Sequence, residues 1–346
     1  MVYLNSQKLA ELMITVLREK GVNEDSIYHV VTSLMQTSLR GVDSHGINLY
    51  PHYCRAIDSG RISKSPSINT EKMAPSSAIV DADHAFGHHA GVLAIDYAIK
   101  LAQKTGIAAV GVKNSTHFGA AAYFALRAAE NNCIGFAFTN ADALVKVYGS
   151  RDTFFGTNPI CCCAPMKNEE PYCLDMATSL VSWNKIKNYH RLNKKIPAHW
   201  AFDANGHSVT DPHSAKSLAP IGDYKGYGLG MMVDILCALL VNGLNSKDIL
   251  PMYDAPIEAK RYISHFFMAI DISKFVDIEF FKQNLQNMAD RLRQLPLADD
   301  AEDVLVAGDP EKKTFQIRIK EGIPMDEEKF EEYLNISKAF EQALVV

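Results

Sequence analysis

Apolar residues recur three and four positions apart at the start of the chain. Leu9, Leu12, Met13, Val16 and Leu17 mark one face of a helix, with Ser6 as its cap and Gly21 as its stop. The same spacing predicts a second helix from about Asn23 to Leu39 and a short third from Tyr50 to Asp58. Between them, Arg40-Gly-Val-Asp-Ser-His-Gly46 breaks the pattern with glycines around polar side chains. The stretch from Gly60 to Pro75 is rich in Ser, Pro and Lys and reads as a connection. Then the period changes. Ala78–Ala82 and Ile107–Val112 read as strands flanking a helix from His89 to Lys104 that Gly106 ends, a strand–helix–strand unit. A helix from about Ala120 to Asn131 and a strand over Ile134–Thr139 follow. Pro159–Ala164 and Tyr172–Asp175 read as paired strands across a turn at Lys167–Glu170. Lys225-Gly-Tyr-Gly-Leu-Gly230 leads into an apolar helix, Met231–Val241. Arg261–Ile272 is a strand of mixed polarity, and Ile278–Leu295 and the charged tail from Asp326 are helical. The alternation gives an α/β (α+β) class, with helix-rich ends packed together and a helix-covered sheet between them.

Composition narrows the function. A chain of 346 residues has two ordinary domains' worth of length. Lys plus Arg number 35 and Asp plus Glu 40, a net charge of −5, which excludes a strongly basic nucleic-acid binder. No apolar run is expected to reach the length of a membrane span, and the N-terminus opens on an amphipathic helix rather than a leader. The cysteines are odd in number, seven, and lack C-x-x-C spacing, so neither a full set of internal bridges nor a zinc ribbon is expected. The setting this implies is reducing and cytoplasmic.

Four segments carry candidate chemistry. His45, beside Ser44 and between glycines, suits proton transfer near neutral pH, although a solvated loop histidine fits the same letters. A Ser–His–Asp hydrolase is the alternative, but G-x-S-x-G is absent and adjacent side chains seldom face each other. His117, in Asn114-Ser-Thr-His-Phe-Gly119, lies between a strand and a helix, where free N–H groups bind anions. Phe155-Gly-Thr-Asn-Pro159 and Asp175-Met-Ala-Thr-Ser179 put small polar residues at strand ends; Asp175 is either the acid that orients a histidine or a helix cap. Lys225-Gly-Tyr-Gly places a cation before a helix. His84, His88 and His89 lack a carboxylate partner pattern and read as structural or solvated, so no metal site is expected. The G-x-G-x-x-G fingerprint after a strand is missing, which argues against a Rossmann domain.

Taken in order, these segments resemble the malate/L-lactate dehydrogenase family of the second type, a group whose substrates run from malate to ureidoglycolate, sulfolactate and cyclic imines. The resemblance rests on Arg40-Gly-x-Asp-Ser-His-Gly46, His117-Phe-Gly119, Gly156-Thr-Asn-Pro159, Asp175-Met-Ala-Thr-Ser179, Ile196-Pro197-x-x-Trp200 with Asp203 and Gly206, Lys225-Gly-Tyr-Gly228, and more weakly Ala307-Gly-Asp-Pro310. It implies a non-Rossmann, sulfolactate dehydrogenase-like fold and a homodimer. It also implies NAD- or NADP-dependent interconversion of a 2-hydroxy acid and a 2-oxo acid. Its expected division groups 1–72 with 121–225 and 311–346 as a helical, catalytic domain, and 73–120 with 226–310 as an α/β sandwich. By resemblance, His45 is the proton donor, supported by Ser44 and Asp175, and His117 is a cofactor-side or acid–base residue. Gly119, Asn140, Asp175, Met176, Ala177, Lys225, Gly308 and Asp309 then contact the cofactor, and Leu49, Tyr53, Thr157 and Asn158 the substrate. One position departs from the pattern. Leu49 stands where many members carry an arginine suited to a substrate carboxylate. Lys185, Lys225 or Arg55 then replaces that cation, or the substrate is sugar-like or a cyclic imine, or the chain binds cofactor with altered activity.

Overall fold

A computed structural model describes residues 1–345. Its centre is a seven-stranded mixed sheet. In spatial order the strands are Asn69–Ala74, Ser77–Asp81, Ile107–Ser115, Ile263–Asp271, Cys133–Thr139, Ile160–Ala164 and Tyr172–Met176. Ser77–Asp81 and Ile107–Ser115 run parallel, joined by the crossover helix Gly87–Thr105; the other neighbours are antiparallel. The expected strand–helix–strand unit is this crossover.

Alternation along the strands sorts side chains to two faces. Val110, Val112, Ala137, Cys161, Cys163, Phe267 and Ala269 pack under the helices Gly87–Thr105 and Ala122–Glu130. Phe136, Phe138, Ile160 and Phe266 point the other way, onto Val233, Leu236 and Cys237 of the helix Tyr224–Cys237. The sheet draws strands from both halves of the expected division.

The two ends of the chain share a second core. Helices Ser6–Glu19, Glu24–Leu39 and Tyr50–Asp58 pack with Glu327–Ile336, and Val2–Leu4 pairs with Ile323–Met325. Tyr50 and Tyr333 stack with ring centres 5.4 Å apart. Their hydroxyls reach Met13 O (2.9 Å) and Ile47 O (2.6 Å), so each buried hydroxyl has an acceptor. A small four-stranded sheet, with Ile186, Ile196, Trp183 and Trp200 around it, forms a third cluster.

Several local expectations shift. The first helix is capped by Asn5, which accepts the Lys8 N–H at 2.9 Å, not by Ser6; Asn caps equally well, and Ser6 begins the helix. The connection before Pro75 contains an edge strand, Asn69–Ala74, exposed throughout and so without an apolar signature. Helices Trp183–Arg191 and Asp309–Glu321 lie where no helix was expected; the first buries only Ile186 and the second nothing fully. Helix Tyr224–Cys237 starts before its glycines rather than after them. With its continuation it reaches 18 residues, Tyr224–Val241, long and apolar enough by composition to cross a membrane. Glycine and tyrosine diluted that run to the eye.

Gly91 lies where the two sheet-covering helices meet. A Cβ there would stand 2.5 Å from the ring of Phe124, which is fully buried and stacked on Phe118. Alanine gains up to about 1 kcal/mol of helix propensity, while overpacking a tight core costs about 1–3 kcal/mol. Gly91→Ala is therefore expected to lower stability by about 1 kcal/mol or more in urea unfolding; a stabilised variant would show that the interface yields.

Candidate active site

One cleft, about 1020 Å³ in volume, runs between the helical layer and the edge of the main sheet. Its walls come from Gln36 and Arg40, the Ser44–His45 turn, the 117–122 loop, Thr139–Asp142, Thr157, residues 173–184, Arg261 and the 305–308 loop.

The Ser44–His45 turn is seated by its neighbours. Gly46 lies against the helix Glu24–Leu39 so closely that a Cβ would stand 2.0 Å from Ser38 Oγ, and that hydroxyl accepts the Ile47 N–H at 2.8 Å. Arg318 forks onto both oxygens of Asp43 (2.5 and 2.9 Å) and also reaches Ser38 O (2.6 Å). A bidentate guanidinium of this kind fixes direction as well as distance. Adjacent Ser44 and His45 do meet, contrary to expectation: Ser44 Oγ lies 2.8 Å from His45 Nδ1.

His117 stacks on His45, with ring centres 5.7 Å apart and planes inclined by 22°. Its Nδ1 faces the Tyr53 hydroxyl (2.7 Å) and the Gly119 N–H (3.3 Å). An amide N–H only donates, so Nδ1 accepts, and these bonds assign the ring proton to Nε2. Gly119 has φ +77°, and a Cβ on it would meet His88 Nε2 at 2.7 Å; glycine is what lets the 117–122 loop close onto the start of the helix Gly87–Thr105. Burial lowers the pKa of His45. Burial, then the neighbouring His45, His88 and Arg261, holds His117 well below the usual imidazole range. Both shifts favour the neutral rings.

Asp175 opens onto the same cleft. Its carboxylate accepts the Ala122 N–H at 2.8 Å, at the start of the helix Ala122–Glu130. Its side chain is exposed to the cleft, and the protein walls on either side of it raise its pKa. The expectation that it supports His45 is therefore corrected: it caps a helix, and the histidine's partner is Ser44. The Ser–His–Asp arrangement of a hydrolase is not assembled.

Of the other expected positions, Leu49, Gly119, Asn140, Thr157, Met176, Ala177 and Gly308 line the cleft. The Asn140 side chain is committed to the fold, donating to Leu244 O (2.8 Å) and accepting from Ser264 N–H (3.0 Å). Tyr53 sits behind the wall and reaches the site through His117. Asn158 is fully buried, binding Ala141 N–H, Gly230 O and Asp234, so its expected substrate contact is replaced by a structural role. Asp309 lies behind Gly308, held by Arg293 at 2.6 and 2.9 Å. Lys225 stands at the head of the helix Tyr224–Cys237, outside this chain's cleft. The expected replacement cations are elsewhere too: Lys185 lies over Trp200 (4.6 Å) and Arg55 pairs with Glu332 (3.4 Å).

Two cations that line the cleft were missed. Lys187 lies over the Tyr253 ring at 4.2 Å. Arg261, 5% exposed, donates to Leu250 O at 2.7 Å and pairs with Asp142. The available signal was a charge leading an otherwise buried strand. Among the three flagged histidines, His88 is fully buried edge-on to Tyr53, His89 bonds Ser26 Oγ at 2.9 Å and His84 packs on Tyr262.

Known proteins share this architecture. The chain is 36% identical over 347 residues to a malate dehydrogenase of Pyrococcus abyssi, covering 97% of this chain and 94% of that one. It is 32% identical over 305 residues to the ureidoglycolate dehydrogenase (NAD(+)) of Escherichia coli K12, covering 88% and 87%. It superposes on the crystal structure of malate dehydrogenase from Entamoeba histolytica with a TM-score of 0.92 at 29% identity, covering 98% of each chain. The family model described as malate/L-lactate dehydrogenase matches residues 4–333. The chain belongs to the malate/L-lactate dehydrogenase family.

Proposed function

We propose that the protein is an NAD- or NADP-dependent oxidoreductase that interconverts a 2-hydroxy acid and a 2-oxo acid. The observation that carries this reading is the stacked His45–His117 pair in the cleft wall, each ring held at Nδ1 from outside. The cleft suits a nicotinamide dinucleotide beside a small substrate: its volume is at the top of the usual range for small-molecule sites, about 300–1,000 Å³. It also has close-approach glycines at 119 and 308 and cations at Arg40 and Lys312. When bound, the nicotinamide supplies or accepts the hydride.

This chain's residues do the rest. His45 passes the proton to or from the substrate oxygen at Nε2, with Ser44 holding Nδ1. His117, held as the Nε2–H tautomer by Tyr53, donates into the same space. Lys187 on the cleft wall supplies the positive charge that Leu49 cannot, since Arg261 is already balanced by Asp142; this keeps a carboxylate-bearing substrate within reach of the site.

We also assign the active form as a homodimer in the cytoplasm. One face of the helix Tyr224–Val241 packs on the sheet, while Leu229, Met231, Met232, Ile235, Leu239 and Leu240 are all at least 36% exposed. A run of large apolar side chains on one element marks an interaction surface. A second copy is the simplest cover for it, since Lys225 sits at the head of the same helix, away from its own cleft. Seven free thiols suit a reducing compartment.

Four measurements check this. A thermal-shift screen is expected to show stabilisation by NADH or NADPH. A panel including malate, sulfolactate and ureidoglycolate, with their 2-oxo counterparts, should then give turnover, and His45→Ala should cut kcat by about 10²–10⁴-fold while leaving cofactor affinity intact. Cofactor binding with no turnover on any substrate would favour a binding homologue instead. In the oxidation direction the base must be neutral, and burial depresses both histidine pKa values. Activity should therefore stay flat as pH falls from 8 through 6.5 and decline only below it; a midpoint above 6.5 would contradict the neutral pair. Sedimentation equilibrium should return twice the chain mass, and Leu239→Glu with Leu240→Glu should shift it toward a monomer.

A further inference from the structure

Cys161 and Cys163 lie two residues apart on the strand Ile160–Ala164, so both point to one side of the sheet. Cys173 stands directly across from Cys163 on the edge strand. The three sulfurs lie within 4.8 Å of one another, and Cys161 Sγ is 3.8 Å from Cys163 Sγ. Cys161 and Cys163 are buried in the core beneath the helix Ala122–Glu130, whereas Cys173 is half-buried and lines the cleft. Cys173 donates its N–H away from the sheet, to Ala307 O at 3.2 Å. Its pairing with Cys163 is therefore the non-hydrogen-bonded, narrow kind, with Cα atoms about 4.5 Å apart. A disulfide bridges Cα separations of about 4.4–6.8 Å without backbone movement. The alternative, Cys161 with Cys173, is diagonal and wider.

We propose that Cys163 and Cys173 form an oxidisable thiol pair in the cleft wall, with hydrogen peroxide as the oxidant, and that closing it into a disulfide weakens cofactor binding. The second half of this statement rests on the function proposed above. Cys173 is the nucleophile. The sulfurs of Cys161 and Cys163 lie within 4.8 Å of it, and Arg40 and Lys312 line the same part of the cleft; these surroundings favour its thiolate. Cys163, whose thiol burial holds protonated, is the resolving partner. The Cys173 thiolate attacks one peroxide oxygen and breaks the O–O bond; with one proton taken up, sulfenic acid forms and one water leaves. The Cys163 sulfur then displaces the sulfenic oxygen, forming the S–S bond and releasing a second water. Two thiols lose two electrons and peroxide gains them. Gly308, at φ +98°, packs on the Cys173 backbone so closely that a Cβ there would lie 3.3 Å from Cys173 N. Closing the disulfide turns the Cys173 side chain toward Cys163 and removes its thiolate from the cleft wall, where the 305–308 loop and the Asp175–Ala177 segment meet it.

The test treats the whole reduced protein with stoichiometric hydrogen peroxide and counts thiols, then maps the crosslink by mass spectrometry without reductant. Loss of two of the seven free thiols, a mass drop of two hydrogens and a peptide joining Cys163 to Cys173 are expected. The crosslink should vanish in Cys173→Ser and in Cys163→Ala and persist in Cys161→Ser. The dissociation constant for NADH or NADPH should rise severalfold on oxidation and recover with dithiothreitol. An unchanged thiol count, or a crosslink mapping elsewhere, overturns the pair. A 163–173 disulfide with unchanged cofactor affinity overturns the effect on binding. If the reduced protein binds neither cofactor, the proposed function fails while the thiol count still decides the pair.

Discussion

Two imidazoles that face each other at 5.7 Å cannot both carry charge cheaply. At an effective dielectric of about 20, two positive charges at that separation repel by roughly 3 kcal/mol. Burial works in the same direction, since it penalises the charged form of each ring. Both effects disfavour charging the pair, and much of the surrounding structure holds the two rings in that arrangement. Ser44 and Tyr53 occupy the Nδ1 atoms, and Gly119 lets the His117 loop pack against His88. The fork from Arg318 onto Asp43 stops the first turn from swinging away.

The sheet contributes by placing loop ends. Strand Ile107–Ser115 delivers His117 beyond its end, strand Tyr172–Met176 ends on the Asp175–Ala177 wall, and strand Ile263–Asp271 begins just after Arg261. The helical layer contributes the opposite wall through the turn that follows the helix Glu24–Leu39. Neither layer contains a site alone. The cleft exists because the helix-rich ends dock beside a sheet whose faces are already covered.

Much of this was legible in the sequence where burial and periodicity coincide. The strands around Val110, Phe136 and Cys162 and the helices over Leu9–Leu17 and Ile95–Leu101 follow apolar spacing closely. Ser44–His45 and His117 stood out because polar residues between glycines rarely sit there for packing alone. What escaped lacked that contrast. The edge strand Asn69–Ala74 and the helix Trp183–Arg191 bury almost nothing, so no period marks them. Asn158 and Asp175 were harder for a different reason. A small polar residue at a strand end serves equally to bind a ligand or to satisfy nearby backbone, and only the packed partners tell which. Arg261 shows the reverse: a guanidinium leading a strand looks like a solvated edge until its carboxylate and carbonyl partners are seen around it.

The contacts that seat the turn at residue 45 come from far along the chain. Arg318 and Tyr333 reach Asp43, Ser38 and Ile47 across separations of 275 to 286 residues. On the ribosome, the early helices and the sheet emerge long before those two side chains do. The sheet and the early helices are therefore made before the side chains that seat the proton-transfer turn, and that turn becomes ordered only once residues 309–336 have been synthesised and have packed against them.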